Sequence, residues 1–521
     1  MSQQARRSRG PRFTPPQVKA PDIRDGSAHP AQLLGHLYRQ AAGGRLPLGG
    51  VQHAATPPAL AQIEYVCDRP DLTGFAGMPA FMQFCYGAGL ADWVLDLPLA
   101  RRRDAIYPPG KLCEVVVAIL AAGLERVSHI DDVKDDPGLC MALGLQRLPD
   151  QATLSRFFSD ATPEAVAFLQ AVNHSFSAAS TSFLRRPGRL IVDVDTRDVG
   201  VYGKQEGAKR SPRNDGDPIY TFEAVTLRNG RDLLRGELLE GATHPAPLFR
   251  ERLEAVLAQL GSTTAETILC ADAAWYADYV LEMIEQADAD AAVRCQCKYA
   301  IRAQMRGELK HLIAAVGEEC WQRYDEYTEV AEVAFAFSRP RDEQGRTRQK
   351  ACPTRRYVVT RQRLKDRADE AQGTLLEQPR YAYRAIVTNL DWAPRRIVKL
   401  YNDRATVESI LKESALGFHM DSLPSQSFAG NGLFCQLLVL AYNLVNLFRR
   451  LCLPEEGKRQ QVPGLRRRLL AVPGLVRGTE GDCVLHCAAT GPHVGWLGHL
   501  LAALERWLPS PGLMPAVAAG G

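Results

Sequence analysis

The chain has 521 residues, 46% of them hydrophobic, which is enough for two or three domains with substantial cores. A formal net charge of only +4 excludes the class of proteins that bind polyanions through a strongly basic composition. No secretory leader pattern opens the sequence, and its thirteen cysteines lack regular pairing, so we expect a cytoplasmic protein in a reducing compartment.

The first part of the chain is predicted to be an arm followed by helices. Residues 1–57 are rich in proline, glycine and arginine and lack apolar periodicity, which predicts a flexible basic arm. Residues 58–187 carry helical patterns, for example at 163–177 with Thr162 as a cap, and predict a helical N-terminal domain. Within it, 151–158 is either the second helix of a helix-turn-helix or one more helix of a bundle, and the bundle is favoured.

From residue 188 the pattern changes to strands. Short apolar runs bounded by polar residues predict buried strands, at 189–195, 219–227, 232–239, 267–272 and 291–297. Helical patterns alternate with the later strands, at 246–260, 274–285 and 300–316. Three consecutive strands followed by alternating helices and strands form the element order of the ribonuclease-H-like α/β fold. We expect residues 188–319 to be the first part of such a domain.

A β-rich piece is predicted to interrupt that domain. Residues 320–380 combine strand-like alternation with a charged, turn-rich stretch, which indicates an inserted β-rich subdomain. The ribonuclease-H-like domain then resumes over 381–450, and residues 451–521 are expected to form a C-terminal helical region. The most apolar stretch, 433–448, is short and carries side-chain amides, so it is predicted to be a buried helix and not a membrane span.

Carboxylates stand at the ends of two predicted strands. Asp193 and Asp195 close the first of these strands, and Asp272 follows another. Open α/β sheets place their ligands in the crevice at the carboxyl ends of strands. Because side chains alternate along a strand, Asp193 and Asp195 lie on the same side of it. Asp195, nearer the strand end and next to Thr196, is the favoured site residue, and Asp193 is the alternative acid.

A third carboxylate lies on a predicted helix. Tyr401, Arg404, Glu408 and Lys412 are three or four residues apart, which on one helix places them along a single stripe. The stripe is either an exposed ladder of ion pairs or part of a site for an anion and a metal. Two ionised carboxylates about 4 Å apart repel by roughly 4 kcal/mol at an effective dielectric of 20. Three converging acids would therefore require a hard divalent cation.

With these residues assembled, the chain resembles the bacterial insertion-sequence transposases that carry a ribonuclease-H-like DDE domain. It is most similar to the branch with a β-rich insertion before the final glutamate. The resemblance covers about residues 148–448, and its specific parts are 193–196, 201–207, 271–276 and the helix of Tyr401, Arg404 and Glu408. Members of the best-known kind have a lysine seven positions after the glutamate. That position is Ala415 here, and Lys412 is the nearest substitute.

The resemblance implies an enzyme that is both a DNA endonuclease and a strand transferase. Such an enzyme cleaves DNA at transposon ends and joins them to target DNA by two-metal-ion phosphoryl transfer. Asp195, Asp272 and Glu408 would hold two Mg²⁺ (or Mn²⁺) ions. DNA phosphates would be contacted by Tyr401, Arg404 and Lys412. The alternatives are a transposase-derived DNA-binding protein without cleavage activity and a non-transposing nuclease of the same fold.

The resemblance also sets expectations for partners. The partner would be double-stranded DNA, both the terminal inverted repeats and the target, bound by a homodimer in the nucleoid region of a bacterial cytoplasm, with no membrane involved. The domain over 58–187 would serve DNA binding or dimerisation. Arg466 to Arg468 and the arm over 1–57 are candidate surfaces for the transposon end. Trp275 or Trp321 is a candidate platform for a flipped base.

Overall fold

The computed structural model describes residues 66–100, 105–182, 188–211, 216–241, 243, 246–260, 266–289, 296–338, 340–342, 344–349, 351–363, 381–479, 482–488 and 493–507. The chain divides at residue 70 into two units, and every described helix and strand belongs to the second unit, Asp71–Gly521. The arm predicted over 1–57 lies outside the described residues, as do residues 364–380 of the predicted insertion.

The described strands form two sheets. They are β1 (Leu72–Thr73), β2 (Arg189–Gly200), β3 (Lys209–Arg210), β4 (Pro218–Leu227), β5 (Asp232–Leu239), β6 (Glu266–Ala271), β7 (Cys297–Arg302), β8 (Gln322–Arg323), β9 (Thr328–Phe335), β10 (Arg355–Arg363), β11 (Tyr381–Thr388), β12 (Gly474–Thr479) and β13 (Asp482–Cys487). Strands β2 to β11 form one mixed sheet, and β1, β12 and β13 form a small antiparallel one.

Helices cover both faces of the large sheet. The described α-helices are α1 (Met78–Gly87), α2 (Leu90–Leu95), α3 (Pro109–Ala122), α4 (Pro137–Leu143), α5 (Gln151–Ser159), α6 (Pro163–Ser182), α7 (Phe249–Leu260), α8 (Asp278–Ala289), α9 (Gly307–Ala314), α10 (Pro394–Asn402), α11 (Ala405–Gly417), α12 (Phe428–Cys452), α13 (Glu455–Lys458), α14 (Val462–Leu465) and α15 (His493–Trp507). Short 3₁₀ turns precede α7 and α8, at Ala246–Leu248 and Ala273–Trp275.

The core of the large sheet has the ribonuclease-H-like strand order. Across the sheet the order is β5-β4-β2-β6-β7, in which β4 is antiparallel to both of its neighbours. β2, β6 and β7 are parallel to one another. Strands β2, β4 and β5 therefore form an antiparallel meander, and helical connections lead to the parallel strands β6 and β7. The fold class predicted from the element order is confirmed.

The predicted insertion is β-rich, and its strands join the central sheet. β11 pairs antiparallel with β7, and β10, β9 and β8 follow in order beyond it. The sheet therefore continues from the ribonuclease-H-like core across the inserted strands without a break.

One strand begins six residues later than predicted. The strand expected at 291–297 is β7, Cys297–Arg302, and the helix expected at 300–316 is α9, Gly307–Ala314. Tyr299 and Ile301 are buried on one face of β7 and Ala300 on the other. A strand buried on both faces is apolar at consecutive positions, so its sequence does not show the alternation that separates strand from helix.

The two faces of the sheet belong to different helices. On one face, α7, α8 and α9 pack against side chains such as Val192, Leu269 and Tyr299. On the other face, α10 packs against Ile268 and Ala300 of the neighbouring strands. The side chains of a strand alternate between these two layers, so the residue number decides which helices a side chain faces.

Helix α12 runs through the interior and covers the edge strand β5. It is long and apolar enough to cross a membrane by composition, but 89% of its most apolar window is buried within the protein, as predicted for residues 433–448. The Asn443 amide accepts a hydrogen bond from the Leu233 amide (2.9 Å) and donates one to the Leu233 carbonyl (2.8 Å). Gln436 donates to the Gly236 carbonyl at 2.8 Å. These buried side chains act as a substitute for a neighbouring strand.

The N-terminal helices share a single core with α12. Phe81 of α1 packs edge-on against Phe448, with ring centroids 5.2 Å apart, and Phe158 of α5 packs against Phe434 at 5.8 Å. The domain boundary predicted at residue 187 thus falls between elements that share one apolar cluster. Helix α5 buries Leu154, Phe157 and Phe158 in that cluster, and the choice between the two interpretations of residues 151–158 stays a prediction.

The C-terminal region differs from its prediction in two respects. The region 451–521 was predicted to be helical, but β12 and β13 form a hairpin whose outer partner is β1. The second difference is Arg466, proposed as part of a DNA-binding cluster but only 8% exposed. Its guanidinium donates to the carbonyls of Leu120 and Ala121 at the end of α3, against Gly123. The basic sequence at Arg466 to Arg468 does not indicate that Arg466 caps the end of α3, which is more than 300 residues earlier in the chain.

Candidate active site

Two of the predicted acids lie side by side where the parallel half of the sheet ends. The parallel register places Val194, Ala271 and Ile301 next to one another, and all three point into the α7–α9 layer. Because side chains alternate along a strand, Asp195 and Asp272 project together toward the opposite face, that of α10. Neighbouring strands lie about 4.8 Å apart, so the two backbones are close at this position.

The crevice at this point results from the end of β6 and not of β2. The strand predicted to end at Asp195 continues to Gly200, because β4 stays paired with it as far as Gly200 and Ile219. Its parallel neighbour β6 ends at Ala271. The position beside Asp195 is therefore open on one side only, toward Asp272.

Asp195 is held by an arginine from the helical layer. Its Oδ1 accepts a hydrogen bond from the Thr196 amide at 2.9 Å and lies 3.1 Å from Nη2 of Arg404. Burial raises the pKa of the Asp195 carboxyl, while Arg404 lowers it and the negative charge of Asp272 raises it further. No hydrogen bond within the described residues engages its Oδ2.

Asp193, the alternative acid, is fully engaged elsewhere. It is completely buried, and both carboxylate oxygens accept hydrogen bonds from the Arg228 guanidinium, at 2.8 Å and 2.5 Å. The third nitrogen of that guanidinium donates to the Leu400 carbonyl at 2.7 Å. Asp193 therefore binds the sheet to the end of α10 and leaves no carboxylate oxygen for a ligand. Burial raises the pKa of Asp193, and Arg228 opposes the rise.

Asp272 both ends the strand and caps the turn after it. Its Oδ1 accepts a hydrogen bond from the Ala274 amide at 3.0 Å, which fixes the short turn Ala273–Trp275. Its Oδ2 has no hydrogen bond within the described residues. The cap of this turn therefore uses one of the two carboxylate oxygens of Asp272.

The predicted helical stripe is interrupted. Helix α10 ends at Asn402 and α11 begins at Ala405, with hydrogen bonds between residues three apart across the break, such as Arg404 to Tyr401 at 3.0 Å. Tyr401 donates to the Ala271 carbonyl at 3.3 Å, and Arg404 donates to the Val194 carbonyl at 2.9 Å. The two side chains therefore bind the ends of β6 and β2 and are not presented along one exposed helix face.

Burial and charge around Tyr401 show how closely these groups are arranged. Burial and, to a smaller extent, Asp272 raise the pKa of the Tyr401 hydroxyl against the opposing effect of Arg404 and Arg302, and the pKa is about 12. Arg404 is only 8% exposed, and its Nε has no hydrogen-bond partner in the described structure. The predicted phosphate contacts Tyr401 and Arg404 thus occupy the floor of the site in this structure.

Glu408 and Lys412 are both exposed on α11. Neither forms an ion pair within the described residues, so the ladder considered for the stripe is not present there. The described residues contain no group of three or more His, Cys, Asp or Glu side chains placed to hold a metal ion. The structure brings Asp195 and Asp272 together and does not bring Glu408 up to them.

The two strand acids fit a hard divalent cation. Each uses Oδ1 within the protein, and each Oδ2 has no partner among the described residues. Oxygen donors on two adjacent carboxylates are the ligands that Mg²⁺ prefers. Burial and the neighbouring Asp272 raise the pKa of Asp195 despite the opposing effect of Arg404. A cation bound there would supply the missing charge.

Two arginines near the strand acids, Arg228 and Arg302, were not predicted from the sequence. Arg228 directly follows β4, the strand that pairs with β2 beside Asp193. Its place one residue beyond a predicted strand was the one sequence signal that could have identified it as a partner of Asp193. Arg302 ends β7, next to Asp272 in the register, but the strand was predicted at 291–297 and so did not include it.

The two tryptophans proposed for a flipped base are buried, with Trp275 fully enclosed and Trp321 at 9% exposure. Neither offers a free ring face at the surface.

Comparisons with known proteins identify the relatives of this chain. A family model described as transposase DDE domain, group 1, matches residues 71–509. No curated protein sequence matches significantly. Among solved structures, one that matches is the cryo-EM structure of the piggyBac transposase synaptic complex with hairpin DNA. It has 8% sequence identity and a TM-score of 0.39 over 85% of this chain and 86% of that one. So low a TM-score carries no weight for function.

Proposed function

The chain belongs to the DDE transposases, and from that premise we propose that it cleaves DNA at transposon ends and joins those ends to target DNA. The observation that carries this proposal is the pair of adjacent strand-end acids, Asp195 and Asp272, with an unengaged oxygen on each. Phosphoryl transfer needs little covalent chemistry from the protein. It needs positioning and charge, and this site is built to supply both.

The proposed site residues are either metal ligands or residues that position those ligands. We assign Asp195 and Asp272 as ligands of Mg²⁺ or Mn²⁺, in a two-ion site whose third carboxylate is Glu408. When bound, the ions activate the attacking hydroxyl and stabilise the leaving oxygen. Arg404 orients Asp195, and Tyr401 fixes the end of β6 through the Ala271 carbonyl. To serve as a ligand, Glu408 must approach the strand acids with α11.

DNA and a second copy of the chain are the proposed partners. Lys412, exposed on α11, is proposed to contact a backbone phosphate as a point charge. The proposed substrates are the terminal inverted repeats and a target duplex, held by a homodimer, in the cytoplasm of a bacterium. These assignments come from the family and not from the geometry.

One observation favours the second candidate, a DNA-binding protein that has lost cleavage. Glu408 is exposed and separate from the two strand acids, and the described residues contain no three-acid cluster. In that case Asp195 and Asp272 would remain as a structural pair with Arg404. The two functions differ in one measurable outcome, which is chemistry on bound DNA.

The test is Mg²⁺-dependent cleavage and strand transfer on DNA that carries the inverted repeats flanking the gene. Wild type should nick and join these ends, and Asp272→Asn should bind them with near-normal affinity while losing chemistry. Asp403→Asn is the matched control, because Asp403 is exposed near the same helix break and pairs with Lys399. If wild type binds the ends without nicking or joining them, the second candidate is correct. If Asp272→Asn stays active, Asp272 is not a ligand.

A further inference from the structure

A cation completes the row of acids across the sheet. Ala271 pairs with Ile301, so Arg302 is the next residue of β7 beside Asp272. Ile301 points into the α7–α9 layer, and Arg302 therefore projects from the same face as the two acids. With strands about 4.8 Å apart, the Arg302 backbone lies roughly 5 Å from that of Asp272 and roughly 10 Å from that of Asp195.

A second cation continues the row onto the neighbouring strand. Arg302 pairs with Ile386 of β11, whose side chain faces the α10 layer. Arg384, two residues away on β11, shares that face by alternation. It lies opposite Thr360 of β10, which is followed on the same face by Gln362. Beyond the acids, this surface is therefore lined by two arginines and then by uncharged polar side chains.

Half of the arginines on the described strands have a carboxylate partner within 4.0 Å, namely Arg189, Arg197, Arg235, Arg355, Arg356 and Arg361. Arg302 and Arg384 are exposed, and neither has an ion pair or hydrogen bond from its side chain within the described residues.

We propose that Arg302 and Arg384 bind backbone phosphates of a DNA strand that crosses the sheet face from the two acids toward the inserted strands. The proposal rests on the proposed function, and it gives the inserted strands a role as a continuation of the DNA-binding floor. Arg404 is buried against Asp195. Arg302 is therefore the arginine beside the two acids that is exposed to a bound DNA strand. A guanidinium without a carboxylate partner, exposed beside two acids, is matched to a phosphate by charge and by its paired donors.

The test measures binding without chemistry. Fluorescence anisotropy in EDTA, with a labelled duplex that carries the flanking inverted repeat, gives Kd at a series of salt concentrations. Arg302→Gln and Arg384→Gln should each weaken binding roughly tenfold, as expected for loss of one charge-assisted hydrogen bond. Each should also reduce the slope of log Kd against log salt by about 0.9. Arg363→Gln is the matched control, an exposed arginine on β10 that faces the opposite side of the sheet.

A second measurement locates the contact. Single phosphates of the duplex are replaced one at a time by neutral methylphosphonates. At one position the methylphosphonate should weaken binding by wild type but not by Arg302→Gln, because the variant already lacks the guanidinium that contacts this phosphate. Arg302→Lys should restore the salt slope but only part of the affinity, because an ammonium cannot form the paired bonds of a guanidinium.

The outcomes separate the two claims. If Arg302→Gln and Arg384→Gln match Arg363→Gln in affinity and salt slope while wild type cleaves DNA, the phosphate assignment is wrong and the proposed function stands. If wild type binds but never cleaves, the proposed function fails and the arginine assignment is still decided by the slopes. A wild-type protein that binds no duplex overturns both.

Discussion

Replacing Arg228 by methionine should destabilise the protein more than any substitution of an exposed arginine. The change leaves the Asp193 carboxylate unpaired in a position with no solvent access, since the two side chains are 9% and 0% exposed. Breaking one side of a buried pair costs about 3–5 kcal/mol. The Leu400 carbonyl also loses its donor, which adds about 1 kcal/mol. We therefore expect a loss of about 4–6 kcal/mol in the free energy of unfolding.

A double variant tests whether the pair is the cause. In Arg228→Met/Asp193→Leu no charge is left buried, so most of the loss should be recovered, short by about the 1 kcal/mol of the Leu400 carbonyl. Urea unfolding followed by tryptophan fluorescence gives each value, with Arg363→Met as the exposed control. If the double variant is no more stable than Arg228→Met, or if Arg228→Met unfolds at the wild-type urea concentration, the structural role of Asp193 is refuted.

Three further outcomes are expected. Gly123→Ala should cost more in thermal stability than Gly144→Ala: both have positive φ (+95° and +62°), which costs about 1–2 kcal/mol, but only at Gly123 would the new Cβ meet another side chain, 2.8 Å away. Equal losses would contradict the packing described for the end of α3. Asn443→Leu should leave the Leu233 amide unpaired, while Ser177 still donates to the Leu233 carbonyl, and it should cost about 1–3 kcal/mol by urea unfolding, with more aggregate on size exclusion. Burial lowers the pKa of His419, so acidification through about 6.5 favours the unfolded state, and stability should fall as pH drops. His419→Asn should flatten this fall in melting temperature, and an unchanged profile would exclude His419 as its source.

The sequence was most informative where local signals agreed. The predicted strand at 232–239 has the bounds of β5, the one at 219–227 begins one residue after β4, and the one at 267–272 is shifted by one residue from β6. The runs at 219–227 and 267–272 are largely apolar and stop at polar residues, so their limits follow from burial. Asp272 followed from the same limits, because a residue that ends a parallel strand faces the crevice, whereas Asp195 was identified from a strand end that the structure places at Gly200.

The rest depended on contacts between distant segments. Tyr401, Arg404 and Glu408 have helical spacing, but hydrogen bonds to Ala271 and Val194 draw the first two into the sheet, and the helix breaks between them and Glu408. No local pattern contains those two carbonyls. The pairing of Asp193 likewise depends on Arg228, a partner that lies 35 residues away in the sequence.

The cover of β5 by α12 has a consequence for how the chain is made. The two groups that Asn443 satisfies belong to Leu233, which is 210 residues earlier in the chain. At a ribosomal rate of about 5–20 residues per second, β5 waits about 10–40 s for its cover. During that interval Ser177 of α6 can engage the Leu233 carbonyl, but the rest of the outer edge is a template for another nascent chain. Chaperone supply should therefore improve the soluble yield, and a chain stopped before α12 should be recovered mainly in aggregates.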